Sequence, residues 1–188
     1  MFAKAGSRRV AWILMSMLLL GARPGLTAQT GHVSEYELKA VFLFNFVQFV
    51  EWPPEAFSDS RTPLVIGVVG DDPFGPFLDE TVSGETVRQR PLEIRRYQGM
   101  DEITTCHLLF ISESETERLD EILTALKDRS ILTVSDDERF TQRGGVIRFV
   151  VDRARIRLQI NLEAAQAARL TISSKLLRLA EVVGSGGR

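Results

Sequence analysis

Residues Ser34 to Pro54, SEYELKAVFLFNFVQFVEWPP, set four phenylalanines between a helix-start signal and a proline, and this stretch constrains the fold most. Ser34 with Glu37 three residues later reads as a capping box, and Val33 with Leu38 as the hydrophobic staple that sets a helix's entry. Phe42, Phe44 and Phe46 alternate as in a strand. The run is about seventeen residues long, however, starts with a cap and ends before Pro53, so a helix is predicted. At about 100° per residue, Tyr36, Ala40, Leu43, Phe46, Val47 and Val50 fall together. Leu38, Phe42 and Phe49 widen that surface to roughly 200°, more than one flat partner covers. Glu37, Asn45, Gln48 and Glu51 fill the remaining sector, with Val41 and Phe44 among them. Two readings stand: a helix buried on most sides, or one whose apolar face is partly kept for another protein.

Lys4, Arg8 and Arg9 precede an almost wholly apolar run, Val10 to Ala22, which Arg23, Pro24 and Gly25 then break. This is the pattern of a secretory signal peptide, expected over residues 1–28. The run falls short of the roughly 20 residues of a spanning helix, so no membrane insertion is expected after cleavage. Cleavage after Ala28 is expected, with Ala22 as a second candidate. The rest of the chain, 29–188, suits one domain with a sizeable core. The first 28 residues hold four of the 23 basic residues and none of the 25 acidic ones, so the mature chain carries −6. That charge disfavours general nucleic-acid binding. Export implies an oxidising compartment, yet Cys106 is the only cysteine, so stability must come from packing.

Pro63 to Val69 reads as a buried strand that runs into Gly70-Asp71-Asp72-Pro73-Phe74-Gly75. Asp72 is the expected N-cap and Pro73 the first position of a helix running to about Val82. Pro91 to Tyr97 alternates as a strand with one wetter face, and Cys106 to Ile111 reads as a central strand. Ser112 and Glu115 repeat the capping-box spacing before a helix carrying Leu119, Ile122, Leu123 and Leu126. Ile131 to Val134 is the next strand. This order predicts a mostly parallel sheet covered on both faces.

The last third changes character. Gly144-Gly145 opens Val146 to Val151, and Asp152-Arg153-Ala154 separates it from Arg155 to Ile160, an antiparallel hairpin. Ile156, Leu158 and Ile160 face one way, Arg155, Arg157 and Gln159 the other, and Arg148 can join the polar side. Asn161 is expected to cap an alanine-rich helix. Ser173 or Ser174 is expected to cap a last helix carrying Leu176, Leu177, Leu179, Ala180 and Val183.

Groups for catalysis are few. The two histidines are His32 and His107, and no nucleophile motif accompanies His107 inside its apolar strand. Cys106 beside it reads as inert packing. Asp71, Asp72, Asp136 and Asp137 follow the carboxyl ends of strands, where open α/β sheets place ligands. They suit either a divalent-metal or phosphoacceptor pocket, or helix caps and turns, and caps and turns are preferred. No metal and no cofactor are expected.

Several stretches together resemble the YfiR family of periplasmic regulators: Tyr36 to Ala40 through Phe46, Phe49 and Glu51-Trp52-Pro53; Gly70 to Gly75; Leu108 to Ser112; Leu132 to Asp136; Gly144-Gly145 with Phe149; and Ile160-Asn161 to Ser173 through Leu177. The resemblance implies a three-layer α/β/α sandwich, its mostly parallel sheet ending in a C-terminal antiparallel hairpin. It also implies a periplasmic, non-enzymatic homodimer that binds the periplasmic domain of an inner-membrane diguanylate cyclase, or of a sensor kinase. Through a cyclase it would control cyclic-di-GMP output and biofilm formation. Phe44, Trp52, Leu162, Arg169, Ile172 and Leu176 are the expected partner-binding residues. The alternative is a periplasmic small-molecule sensor or carrier, with Asp71, Asp72, Phe74, Arg148 and Arg157 as ligand-binding residues. Two features depart from the family: a single cysteine removes any disulfide switch, and Arg169 stands where a glycine is expected to end a helix.

Overall fold

A computed structural model describes residues 34–153 and 155–184. The signal peptide expected over 1–28, both cleavage positions, His32 and the Val33 half of the staple lie outside the described residues. Among the described residues, no helix is long and apolar enough to cross a membrane.

The first helix, α1, is Glu35–Phe49. Ser34 Oγ accepts from the Glu37 N–H at 3.2 Å and Glu37 Oε2 accepts from the Ser34 N–H at 2.8 Å, so the capping box is reciprocal. Val50 is extended and ends the helix three residues before Pro53. It begins β1 (Val50–Glu51), which pairs antiparallel with β9 (Thr171–Ile172).

The main sheet has eight strands: β2 (Leu64–Val69), β3 (Thr86–Val87), β4 (Arg90–Tyr97), β5 (Leu108–Ile111), β6 (Leu132–Ser135), β7 (Ile147–Asp152), β8 (Arg155–Asn161) and β10 (Ala180–Val183). Their order is β10-β8-β7-β6-β5-β2-β4-β3. The run from β7 to β4 is parallel throughout, while β7 and β8 form the antiparallel hairpin, register Ile147↔Ile160 to Asp152↔Arg155. β2, β5 and β6 are buried along their whole length, as strands covered on both faces must be.

Alternation divides the core in two. Ile66, Val68, Leu108, Phe110, Leu132 and Val134 meet α1, α2 (Pro76–Val82), α4 (Leu162–Ala167) and α5 (Ser174–Leu177). Val69, Leu109 and Ile111 meet α3 (Leu119–Ala125) through Leu119 and Ile122. This is the expected α/β fold, layered on both faces of the sheet. Gly67, mid-strand in β2, lies under the Tyr97 ring, where a Cβ would stand 2.5 Å from Cε2, so close approach demands glycine there.

Three local expectations are corrected. Helix α2 is capped by Gly75 with Pro76 in its first turn, because Asp72 is used elsewhere: its Oδ1 accepts from the Phe74 N–H at 2.8 Å. Ser112 Oγ accepts from Ser114, Glu115 reaches Arg118 instead of back to the cap, and a 3-10 turn over Glu113–Arg118 precedes α3. The last helix stops at Leu177, and Ala180–Val183 is the edge strand β10, parallel to β8 with Ala180↔Leu158 and Val183↔Asn161. An open sheet edge beside β8 gives the backbone of this β-branched segment ladder partners. The short pairs β1–β9 and β3–β4 were absent from the sequence reading.

Candidate functional site

At the carboxyl end of the parallel strands, the first turn of α1 lies against Asp136, which follows β6. Lys39, 1% exposed, holds its Nζ 3.0 Å from Asp136 Oδ2, pairs also with Glu35, and stands 4.4 Å from the Tyr36 ring centroid. Tyr36 donates its hydroxyl to the same Oδ2 at 3.1 Å. Burial pushes the Asp136 carboxyl up from its ordinary value, against the pull of the Lys39 ammonium. Burial also pushes the Tyr36 phenol up, so it stays a donor. Asp136 Oδ1 is buried without a partner.

The neighbouring Gly70 to Gly75 loop is tied down by Arg96. Its guanidinium reaches Asp72 at 2.7 Å, Asp79 at 2.6 Å and the Gly75 carbonyl at 2.9 Å. Those bonds hold the Asp79 carboxyl below its usual range. Phe74 fills the space beneath, 5.7 Å from the Tyr36 ring and 4.8 Å from Phe110. Asp71 is exposed and donates its N–H to Ser114 Oγ, and Asp137 Oδ1 accepts from Arg139. The carboxylates of Asp72, Asp136 and Asp137 thus serve separate partners, and no metal-ligating group of three forms among the described residues.

His107 joins the amino end. Its Nδ1 accepts from the Val65 N–H at 3.0 Å, which leaves Nε2 to donate to the Ala56 carbonyl at 3.1 Å. Its own carbonyl accepts from Trp52 Nε1 at 3.0 Å, and Phe57 stacks on the ring at 4.5 Å. Burial pushes its pKa down, so both nitrogens are spent on a neutral structural role. Cys106 is buried, and burial pushes its thiol up to about 12, out of nucleophilic range.

The expected partner-binding residues divide by burial. Trp52, Ile172 and Leu176 lie in the core, and burial takes them off the surface. Phe44 and Leu162 are half-buried and Arg169 is exposed. The expected ligand-binding residues also separate: Asp72 and Phe74 seal the carboxyl edge, while Arg148 and Arg157 lie on the polar face of the hairpin. There Arg148 donates to Gln159 at 3.2 Å and Arg157 pairs with Asp152 at 3.1 Å. Lys39 was missed, since Glu35 four residues earlier reads as a solvated helix pair.

Five large apolar side chains are exposed among the described residues: Leu179, 73% exposed just before β10, and four in the α1 layer. Leu38 and Val41 are 41% and 38% exposed on α1. Val151 and Val182 share the sheet face of Phe149 and Ile160, which pack on α1, and are 46% and 48% exposed.

Fold and site together define a three-layer α/β domain in which Asp72, Asp136 and Cys106 serve packing and internal pairing while apolar side chains stand exposed. The chain belongs to the YfiR/HmsC-like family, which matches it over residues 36–181. Family membership points to a periplasmic regulator. No curated protein matches the chain in sequence.

Proposed function

We propose that this chain is a non-enzymatic periplasmic regulator, working as a homodimer, that binds the periplasmic part of an inner-membrane diguanylate cyclase or related envelope sensor. Binding holds the cyclase inactive, so that envelope conditions set cyclic-di-GMP output and biofilm formation. The observation that carries this reading is the uncovered apolar surface of Leu38, Val41, Val151 and Val182 in a chain of the YfiR/HmsC-like family. Apolar surface left open on an otherwise well-packed domain is what a protein partner recognises. Half-buried Phe44 is an aromatic anchor on the same helix.

The alternative, a small-molecule sensor working at the carboxyl edge, has less support. Asp72 and Asp136 there already hold internal cations, and Phe74 occupies the space between them and the core.

The test is a pull-down with the periplasmic portion of an inner-membrane diguanylate cyclase from the same cell. Recovery by the native protein and loss with Val41→Glu supports the reading. Failure of the native protein to recover it counts against the reading.

A further inference from the structure

At the amino edge of the sheet, opposite the sealed aspartates, a cavity of about 270 Å³ lies among the 54–58 turn, the loops before β5 and β6, and Arg169. Its polar lining is mostly donors: Arg129, Arg169, Ser130, Thr104, Thr105 and Ser58. Glu55, exposed, is the one carboxylate lining it.

Neither guanidinium is neutralised. Arg129 Nη2 donates to the Thr104 carbonyl at 3.2 Å and Arg169 Nη2 to the Asp128 carbonyl at 3.4 Å. No carboxylate stands within ion-pair distance of either among the described residues, whereas Arg95, Arg96, Arg143 and Arg157 all have one. Ser130 lines the cavity, and its Oγ is buried with no hydrogen-bond partner among the described residues. A buried hydroxyl left unsatisfied loses free energy unless something else supplies its partner.

The backbone adds an independent observation. Arg169 follows α4 with φ +58, the left-handed position that ends a helix and that glycine fills without strain. Asp128, whose carbonyl receives its guanidinium, has φ +68. A non-glycine residue held in the left-handed region at a cavity, as Arg169 is, is local strain of the kind that gathers at ligand sites. At Arg169 the side chain is what the strained position provides.

We propose that this cavity binds a tetrahedral oxyanion, inorganic phosphate or the phosphate of a phosphomonoester, between Arg129 and Arg169 with Ser130 as a further donor. Guanidinium forks match phosphate oxygens in pairs, and the donors here outnumber what one carboxylate can accept. The site is separate from the apolar surface of the α1 layer.

The experiment titrates the purified chain with inorganic phosphate by calorimetry, with chloride at equal ionic strength as the control and glycerol phosphate as the monoester arm. Saturable phosphate binding is expected, weakened roughly tenfold or more in both Arg129→Gln and Arg169→Gly. Arg169→Gly relieves the left-handed backbone, so circular dichroism should show a folded protein that melts no lower in phosphate-free buffer, which separates lost binding from lost structure. Tighter binding of glycerol phosphate would assign the site to a monoester, and equal or weaker binding to the free ion. A response to phosphate that chloride reproduces, or unchanged affinity in either variant, would overturn the proposal.

Discussion

Lys39 Nζ lies 3.0 Å from Asp136 Oδ2, with the two side chains only 2% and 7% exposed, so one ion pair fastens the first turns of α1 to the carboxyl end of the sheet. Removing one member of a buried pair strands the other charge, whereas replacing both with apolar groups of similar size is often neutral. Lys39→Met alone should therefore cost about 3–5 kcal/mol, and Lys39→Met with Asp136→Leu should recover most of it. Urea midpoints at constant slope measure the cycle; additive losses would show that the pair is not coupled.

Phe46 is fully buried and stacks on Phe149 at 5.7 Å, while Phe44 on the same helix is half-buried. Phe46→Ala should cost about 3–5 kcal/mol and Phe44→Ala well under half of that. Equal losses would mean that α1 is buried on all sides and has no face left for a partner.

Gly67→Ala places a Cβ 2.5 Å from Tyr97 Cε2, 2.9 Å from Cys106 Sγ and 3.0 Å from Leu109 Cδ1. The neighbours belong to the packed core beneath α3 and have little room to yield. A loss of about 1–3 kcal/mol is expected by thermal or chemical denaturation, and an unchanged melting temperature would refute the close packing.

The pKa of His107 is pushed below its ordinary 6.5 by burial, so the unfolded chain takes up the proton more readily than the folded one. Stability from this residue is complete above about pH 6.5 and is lost as pH falls through the unfolded value toward the depressed folded one. The melting temperature should drop from pH 7.5 to pH 5.5 and drop less in His107→Asn. Parallel curves for the two proteins would assign the acid sensitivity elsewhere.

Val41 and Val182 are exposed, so Val41→Glu and Val182→Glu should change stability by no more than about 0.5 kcal/mol. If these residues meet the partner, either change should weaken binding by about 2 kcal/mol, near thirtyfold. Titration of the partner's periplasmic portion against each variant measures this, and full affinity in both would move the docking surface away from the α1 layer.

The helix around the four phenylalanines, the buried strands and the hairpin were legible because each is written in a local period or cap. Ser34 and Glu37 are three residues apart, and β2 is apolar from end to end. Residues 180–183 were misread as helix because Leu176, Leu177, Leu179, Ala180 and Val183 fit a helical stripe; the vacant ladder along β8 decides otherwise. Of the expected partner-binding residues, Trp52, Ile172 and Leu176 are apolar residues whose sequence neighbourhood cannot distinguish a core position from a sticky one.

Sequence alone determined the start of α1, the central strands, the hairpin and the family, since these rest on spacing along the chain. Tertiary structure alone decided which charges are neutralised. Lys39 finds Asp136, and Arg96 finds Asp72 and Asp79, while Arg129 and Arg169 have no carboxylate within ion-pair distance among the described residues. A side chain's charge is fixed by its residue type, but its partner depends on which distant segments the packed sheet brings within a few ångströms.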